Sequence, residues 1–433
     1  VVVKSTDSGD AGVFDRQDGL YTLCVRGIED GRKVEENIIC SAISRVLSAK
    51  DQWKEILALA RRPEMQIVIS NTTEVGIQLV EDDIRQEPPV SFPGKLLGFL
   101  WERYQAFGGS PESGMVIVPT ELIVDNGKKL AGIVRELAKM NQLEADFLSW
   151  LEGHCRFCSS LVDRIVPGKP DSATLQQLEH DLGYTDGLLA VCEVYRLWAI
   201  EGGEEVRRIL SFGGADAGVI IEPDIEIYRE LKLRMLNATH TLSCGLAVLA
   251  GLTTVKQGMD DPGFSAFVAD LMMKEIAPSI PYAPARENGV ARDFGLKVLD
   301  RFRNPHLQHQ WMSITMQYSS KMKSRVVPVL LEHYKHRAER PVHISLGFAA
   351  FLLFMRAEKK EGWDDKAGYF LDLWARYPAE DVVMRALGDQ SLWGVDLLLE
   401  KGFPEAVLEQ LEILMNKGAI TALALLSMKK SIV

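Results

Sequence analysis

The stretch that decides the fold is QIVISNTTE, residues 66–74, in which a short apolar run rich in β-branched residues passes directly into a polar turn. Such a run predicts a buried strand. Further runs of the same kind occupy residues 1–4, 115–119 and 218–222. Between them lie patterns with apolar residues spaced by three and four, which predict helices at residues 36–47, 53–61, 94–107 and 128–140. Strands that alternate with helices indicate crossover units on a mostly parallel sheet.

Ligands of such sheets bind beyond the carboxyl ends of the strands, so the turns after Ser70 and Pro119 are the candidate binding positions in this half. From about Asp224 onward the pattern is almost wholly helical. It predicts helices at residues 225–250, 263–276, 290–302, 305–318, 326–336 and 344–357, and a set of short helices from Lys366. We therefore predict an α/β Rossmann-like domain, residues 1–223, followed by a mainly α-helical substrate domain, residues 224–433, with the site between them.

Composition narrows the class of protein. The 433 residues are 47% hydrophobic and 25% charged, which is typical of a globular chain, and the net charge of −11 argues against nucleic acid as a partner. The apolar stretches near residues 242–252 and 346–355 are shorter than the roughly 18 residues that suggest a membrane span. Six scattered cysteines predict a reduced, cytoplasmic protein without a disulfide framework. Because the first residues already read as a buried strand, we expect the domain to begin before Val1.

Three polar residues in the segment KLRMLNATH, residues 232–240, could carry chemistry: Lys232, Asn237 and His240. At about 100° per residue they share one side of a helix. Apolar neighbours would lower the pKa of the lysine and make it a general base that accepts a hydroxyl proton. Asn237 could donate to the developing oxygen and His240 could hold a neighbouring hydroxyl. On spacing alone, a solvated lysine beside a helix-packing Asn and His is the better interpretation.

The order of these three residues, followed by a small and apolar run, resembles the catalytic helix of the mannitol dehydrogenase family of polyol-specific dehydrogenases. Matching segments follow in the family's order at residues 70–76, 121–127, 157–167, 301–305 and 319–321, and the resemblance covers about three quarters of the chain. Residues 17–22 with Arg26-Gly27, residues 71–74 and residues 157–166 are most similar to the hexuronate branch of the family.

The resemblance implies a metal-independent, NAD-dependent oxidoreductase that interconverts D-tagaturonate and D-altronate in hexuronate breakdown. Lys232 would be the acid/base, and Asn126 and Asn237 would polarise the reacting oxygen. His240, Asp163 and Lys321 would order the substrate, with Arg234 as a weaker candidate. The cofactor would be contacted by the turn that contains Ser70, Asn71, Thr72, Thr73 and Glu74. The family opens with a Gly-rich turn that no residue here supplies, so we expect that turn to precede Val1.

Each assignment has a structural alternative. Asn71 or Thr72 could simply cap a helix with Glu74 in its first turn, and Asn126-Gly127 could be only a turn. Asp163 could pair with Arg164 at a domain seam. Lys321 and Arg234 could be surface charges.

Two clusters suggest a metal but are better explained otherwise. Cys155 and Cys158 lack a second pair, and His306 with His309 fits a polar helix surface. The functional rivals are a fructuronate or hexitol enzyme and a non-catalytic binding paralogue.

Overall fold

The structure is a computed structural model that describes residues 1–5, 12–73, 75–287, 289–357 and 362–428. The chain forms two compact units. The first contains Val1–Arg26 and Val34–Ile225, and the second contains Gly27–Lys33 and Glu226–Val433. The sequence predicts a domain boundary near Pro223, and that boundary stays a prediction.

The first unit contains all of the strands in the described ranges, apart from the tip of one hairpin. They are β1 (Val2–Lys4), β2 (Tyr21–Glu29), β3 (Arg32–Cys40), β4 (Val46–Ser48), β5 (Ile67–Ser70), β6 (Val116–Pro119), β7 (Arg156–Phe157), β8 (Ser160–Asp163), β9 (Ala190–Glu193), β10 (Leu197–Glu201) and β11 (Val219–Glu222). The four strands expected from sequence are β1, β5, β6 and β11, so those predictions are confirmed.

Most strand pairs are parallel, as expected for crossover units. β5, β6 and β7 form one parallel sheet, and β1 pairs with β4 in parallel. β10 lies between β11, to which it is parallel, and β8, to which it is antiparallel. β2 is parallel to β9 and has β3 on its other side.

Helices of the first unit cover these sheets. They are α1 (Gly12–Arg16), α2 (Trp53–Ala60), α3 (Phe92–Phe107), α4 (Asn126–Met140), α5 (Ala145–His154), α6 (Ser172–Leu182) and α7 (Glu204–Ile209), with 3₁₀ turns at Pro111–Ser113 and Ser211–Gly214. α2, α3 and α4 match the predicted helices, and their apolar faces form one core with Ile117 of β6. This packing fixes where β5 and β6 end.

The predicted helix at residues 36–47 is wrong, because this segment belongs to β3 and β4. The chain reverses at Asp30-Gly31, where both residues have positive φ (51° and 73°). An Asp-Gly pair in this conformation closes a two-residue hairpin and commits the next residues to strand pairing. The apolar spacing that suggested a helix comes from residues such as Ile38 and Ile39, which are exposed.

The second unit is helical. Its α-helices are α8 (Glu226–Leu231), α9 (Thr239–Leu249), α10 (Val255–Asp260), α11 (Pro262–Asp270), α12 (Ala283–Glu287), α13 (Val290–Phe302), α14 (Trp311–Ile314), α15 (Tyr318–Lys321), α16 (Val327–His336), α17 (Val342–Phe354), α18 (Ala367–Arg376), α19 (Ala379–Gly388), α20 (Gln390–Trp393) and α21 (Phe403–Met428). Among the described residues of this unit, three stretches are π-helical, Lys232–Ala238, Leu271–Ile276 and Met322–Val326, and 3₁₀ turns lie at Ala277–Ser279 and Leu397–Leu399. α17 packs against α9 and α21 at the centre of the unit.

The predicted helix at residues 305–318 is largely wrong. The Asn304 side chain accepts from the His306 N–H (3.0 Å), which closes a local turn, and Pro305 follows Asn304 directly. Asn side chains that bond the backbone two residues on favour turns over helices. The loop then bridges to Thr254 through Gln310, and only α14 and α15 are helical within this range.

The C-terminal part was predicted as short helices, which α18–α20 are, but α21 is a 26-residue segment with non-helical backbone at Gly418. By length and composition α21 is long and apolar enough to cross a membrane, and 28% of its most apolar 18-residue segment is buried. One such helix is weak support for a membrane span, because core helices of soluble proteins can be equally long and apolar.

Glu275 at the end of one π-helical stretch anchors the central helix α17. Its carboxylate accepts from the N–H groups of His343 (2.9 Å) and Ile344 (2.8 Å) and contacts His343 Nδ1 at 2.6 Å. We predict that Glu275→Ala lowers the free energy of unfolding by about 3 kcal/mol, because buried donors lose a charged acceptor. Urea denaturation would measure it. The exposed Glu412→Ala is the control and should change stability by less than about 0.5 kcal/mol; equal effects would contradict the anchor role.

Candidate active site

Lys232 and Asn237 lie at the start and near the end of the π-helical stretch Lys232–Ala238. In an α-helix, residues five apart are about 140° apart around the axis. A π-helix bonds i to i+5, so these two residues come back to nearly the same face one turn apart. The π-helical register therefore places the lysine and the amide together more closely than the α-helical spacing predicted. π-helical segments often occur at functional sites.

The Asn237 amide can donate to a ligand. Its backbone carbonyl accepts from the Thr241 hydroxyl (2.7 Å), whereas its side chain has no hydrogen-bond partner among the described residues. Lys232 and Asn237 are both half-buried, so part of each residue is accessible. This accessibility is what a group that exchanges a proton or a hydrogen bond with a substrate needs.

His240 is held in an aromatic setting at the start of α9. Its ring stacks on Phe302 with centroids 4.1 Å apart and meets Trp311 and His309 edge-on at 5.8 and 5.3 Å. Burial, followed by the charges of His309 and Arg301, holds the pKa of His240 well below its usual value. The imidazole is therefore neutral at pH 7. Its Nε2 is buried without a partner among the described residues.

His309 is a neighbour of the candidate site that sequence reasoning assigned to a polar surface. It lies in the loop before α14, and its backbone carbonyl accepts from the Val255 N–H (2.9 Å). Burial, followed by the charge of Lys321, lowers the pKa of His309. The signal that could have found it is Asn304-Pro305, which turns the chain after α13, so that His309 lies in a loop beside His240.

The two candidate cations have different surroundings. Lys321 is half-buried, donates to the carbonyl of Ile314 (2.8 Å), and has its pKa lowered by burial and then by Arg325. Arg234 is buried and pairs with Glu230 (3.0 Å), and it also donates to the carbonyls of Ser324 and Arg325. The weaker prediction for Arg234 therefore needs correction, because its guanidinium is committed to protein groups.

In the first unit, the polar turn after β5 is organised by Glu121. This buried carboxylate accepts from the hydroxyls of Ser70 (3.0 Å) and Thr72 (2.7 Å) and from the Thr72 N–H (2.9 Å). Sequence reasoning missed Glu121, although an acidic residue directly after a strand was a signal for it. A cleft of about 530 Å³ lies at this turn and is lined by Asn71, Thr72, Thr73, Val75, Thr120, Glu121 and Leu122.

This cleft fits a nicotinamide cofactor by its position and its donors. It is at the carboxyl ends of β5 and β6, where ligands of parallel sheets bind. The Asn71 amide has no hydrogen-bond partner within the described ranges, so it can bind a ribose or a carboxamide. Glu74, the remaining member of the predicted cofactor turn, lies outside the described residues. The helix-cap alternative is not seen for Asn71 or Thr72, because no helix begins until Phe92 in the described part of this region.

Asn126 does not present its amide to a ligand. Its Nδ2 donates to the carbonyls of Pro119, Glu121 and Ser160, each at 3.0 Å, and its Oδ1 accepts from the N–H groups of Gly127 and Ser160. The side chain is fully buried. The prediction that Asn126 polarises the reacting oxygen is therefore corrected: both amide hydrogens are used, and the residue joins the ends of β6 and β8.

Asp163 ends β8 opposite Leu197 of β10 and is buried. Arg164 donates to the Glu193 carbonyl (3.0 Å), which supports a structural role for the arginine. A substrate-ordering role for Asp163 stays a prediction. No group of three or more potential ligands that could hold a metal occurs within the residues described, and all six cysteines are free thiols.

Comparisons with known proteins identify two family domains in this chain and similar relatives. The mannitol dehydrogenase Rossmann domain matches residues 11–210, and the mannitol dehydrogenase C-terminal domain matches residues 224–415. The altronate oxidoreductase of Halalkalibacterium halodurans is 35% identical over 434 residues, 95% of this chain and 83% of that protein. The altronate oxidoreductase of Bacillus subtilis is 37% identical over 401 residues, 92% of this chain and 82% of that protein.

Two solved structures share the fold. Pseudomonas fluorescens mannitol 2-dehydrogenase, a ternary complex with NAD and D-mannitol, is 23% identical with a TM-score of 0.61, covering 97% of this chain and 85% of that one. A D-sorbitol dehydrogenase in substrate-free form is 20% identical with a TM-score of 0.74, covering 97% of this chain and 88% of that one. The predicted order of a Rossmann-like unit followed by a helical unit is confirmed.

These similarities first define a class, the nicotinamide-dependent oxidoreductases that act on CH–OH groups. Within that class, the chain belongs to the mannitol dehydrogenase family.

We predict that Asn126→Ala lowers the free energy of unfolding by about 3 kcal/mol, because several buried backbone groups lose their partners. Denaturant unfolding followed by circular dichroism would measure it. Asn71→Ala, at an exposed asparagine nearby, is the control and should change stability by less than about 0.5 kcal/mol. If the Asn126 variant kept full stability and lost only turnover, the amide would contact the reacting oxygen after all.

A second prediction concerns pH. Below about pH 6.5 an unfolded histidine takes up a proton that the folded His240 excludes, so the unfolded state binds more protons. The free energy of unfolding should therefore fall as pH drops below about 6.5, by up to about 1.4 kcal/mol per pH unit for this group. His240→Asn should make that dependence shallower, whereas His180→Asn, at an exposed histidine, should not. An unchanged slope in His240→Asn would contradict a buried neutral imidazole.

Proposed function

We propose that this chain interconverts D-tagaturonate and D-altronate with NAD, by hydride transfer at the C–OH carbon, in hexuronate catabolism. The observation that carries the proposal is Lys321, which is half-buried in the same unit as Lys232 and Asn237 and donates to one carbonyl, that of Ile314 (2.8 Å). A sugar acid needs a cation for its carboxylate, and a neutral hexitol does not. The relatives named altronate oxidoreductase, 35–37% identical over most of the chain, support the same substrate.

Lys232 is the proposed acid/base. In the oxidation direction the hydroxyl proton of the substrate moves to the Lys232 amine, and in the reduction direction the ammonium returns it to the carbonyl oxygen. Bound NAD supplies the hydride acceptor, or NADH the donor. Because Asn237 lies one π-helical turn from Lys232, its amide is placed to donate to the same oxygen.

His240 and Asp163 are the proposed ordering groups. A neutral imidazole both donates and accepts, so His240 suits a hydroxyl beside the reacting carbon. The aromatic contacts with Phe302 and Trp311 fix the plane of its ring. Asp163 would accept from another hydroxyl.

The proposed cofactor site is the cleft after β5. Asn71, Thr72 and Thr73 supply the amide and hydroxyls, and Glu121 holds the turn in shape. The preference for NAD over NADP is part of the proposal and rests on the family resemblance.

The test is NADH oxidation, followed by absorbance, for the full-length protein with D-tagaturonate, D-fructuronate and D-fructose. We expect turnover with D-tagaturonate that falls about 10³-fold in Lys232→Ala, because the acid/base is lost. Lys417→Ala, at an exposed lysine, is the control. Turnover with fructuronate or fructose instead would exclude the proposed substrate and keep the mechanism. No turnover with any substrate would favour the binding paralogue.

A further inference from the structure

Arg325 lies beside the candidate active site, in the π-helical stretch Met322–Val326. This stretch packs against the π-helix of Lys232 and against α9. The Arg325 Nη1 donates to the Thr241 hydroxyl at 3.4 Å, one residue after His240. Its charge also acts on His240, since it helps to lower the pKa of that imidazole. The guanidinium therefore lies at the start of α9, next to the proposed substrate-ordering histidine.

The Arg325 guanidinium is half-buried and has few protein partners. It has five N–H donors, and the single contact to Thr241 is its only hydrogen bond within the described part of the chain. No described carboxylate lies within 4 Å of it. Two other arginines of this unit are different, because the buried Arg234 pairs with Glu230 and the half-buried Arg286 contacts Glu332.

Lys321, like Arg325, has no carboxylate close to its charge among the described residues. It is half-buried, its ammonium donates to one carbonyl, and no described carboxylate is within 4 Å. Two of its three donors are left for a ligand. Lys321 and Arg325 are four residues apart in one continuous helical segment, so they share a face. Partly buried cations without counter-charges are costly, and an anionic ligand removes that cost.

The backbone that carries Arg325 is fixed by the buried Arg234. Its Nη1 donates to the carbonyls of Ser324 (2.7 Å) and Arg325 (3.0 Å), while its Nε bonds Glu230. Arg234 itself is part of the π-helix of Lys232. The position of Arg325 is therefore tied directly to the helix that carries the proposed base.

We propose that Arg325 and Lys321 form a two-cation subsite for the substrate carboxylate, and that Arg325 is the residue that selects sugar acids over neutral sugars. The planar guanidinium matches both oxygens of a carboxylate, and the ammonium adds a point charge beside it. This proposal rests on the proposed function, because the subsite would bind the carboxylate of the same substrate.

The test compares D-tagaturonate with D-tagatose, in which a CH₂OH group replaces the carboxylate. Arg325→Met should lower kcat/KM for D-tagaturonate about 100-fold, mainly through KM, and change that for D-tagatose less than about 3-fold. The matched control is Lys323→Met, which removes an exposed charge from the same π-helical stretch and should change neither. Arg325→Lys should retain the preference for the acid with a KM raised about 10-fold, because a point charge replaces the fork.

Four outcomes would distinguish a carboxylate subsite from a structural role of Arg325 and from a wrong substrate. Equal losses for both substrates in Arg325→Met would overturn the subsite, because Arg325 would then only support the fold. An unchanged kcat/KM for D-tagaturonate in Arg325→Met would overturn it as well. If the unsubstituted enzyme reduced only neutral ketoses, the proposed substrate would fail first and the carboxylate subsite with it. If Arg325→Met did not fold, the KM of Arg325→Lys would decide: no change with the acid would count against the subsite.

Discussion

The π-helical register of residues Lys232–Ala238 is the constraint on which the helical unit depends. The wider turn of the π-helix brings Lys232 and Asn237 onto one face. The π-helix continues directly into α9, where the ring of His240 stacks on Phe302. Two other π-helical stretches, Leu271–Ile276 and Met322–Val326, pack against it. A π-helix has weaker intrinsic stability than an α-helix, so its persistence here depends on that packing.

Positive charge is distributed around this helix in two ways. Arg234 is neutralised by Glu230 and serves the backbone, whereas Lys321 and Arg325 keep most of their donors for other groups. His240 in the same unit stays neutral, because burial among aromatic side chains lowers its pKa. Two half-buried cations and one neutral imidazole therefore occur together in the helical unit.

Much of the fold follows from local patterns. The strands β5 and β6 are short β-branched runs, and α3, α4 and α13 have strong apolar faces, so the sequence predicts them. Residues 36–47 have a misleading helical spacing, and only the Asp30-Gly31 turn reveals the hairpin. Family resemblance, and not spacing, is what singles out Lys232, Asn237 and His240 in the sequence, and their roles stay predictions. Three features could not be predicted from the sequence: the π-helical register, the use of the Asn126 amide and the position of Arg325. Each depends on which groups come into contact after the chain has folded.

Asn126 has a further consequence for the loop between β6 and α4. Its side-chain amide donates to the carbonyls of Pro119, Glu121 and Ser160, so the loop backbone is held by a buried side chain. Leu122 and Val124 are exposed and take no part in that scaffold. The loop can therefore exchange its outward side chains while its backbone stays in place. Side chains at the edge of the cleft after β5, such as Leu122, can vary without a change in the shape of the cleft.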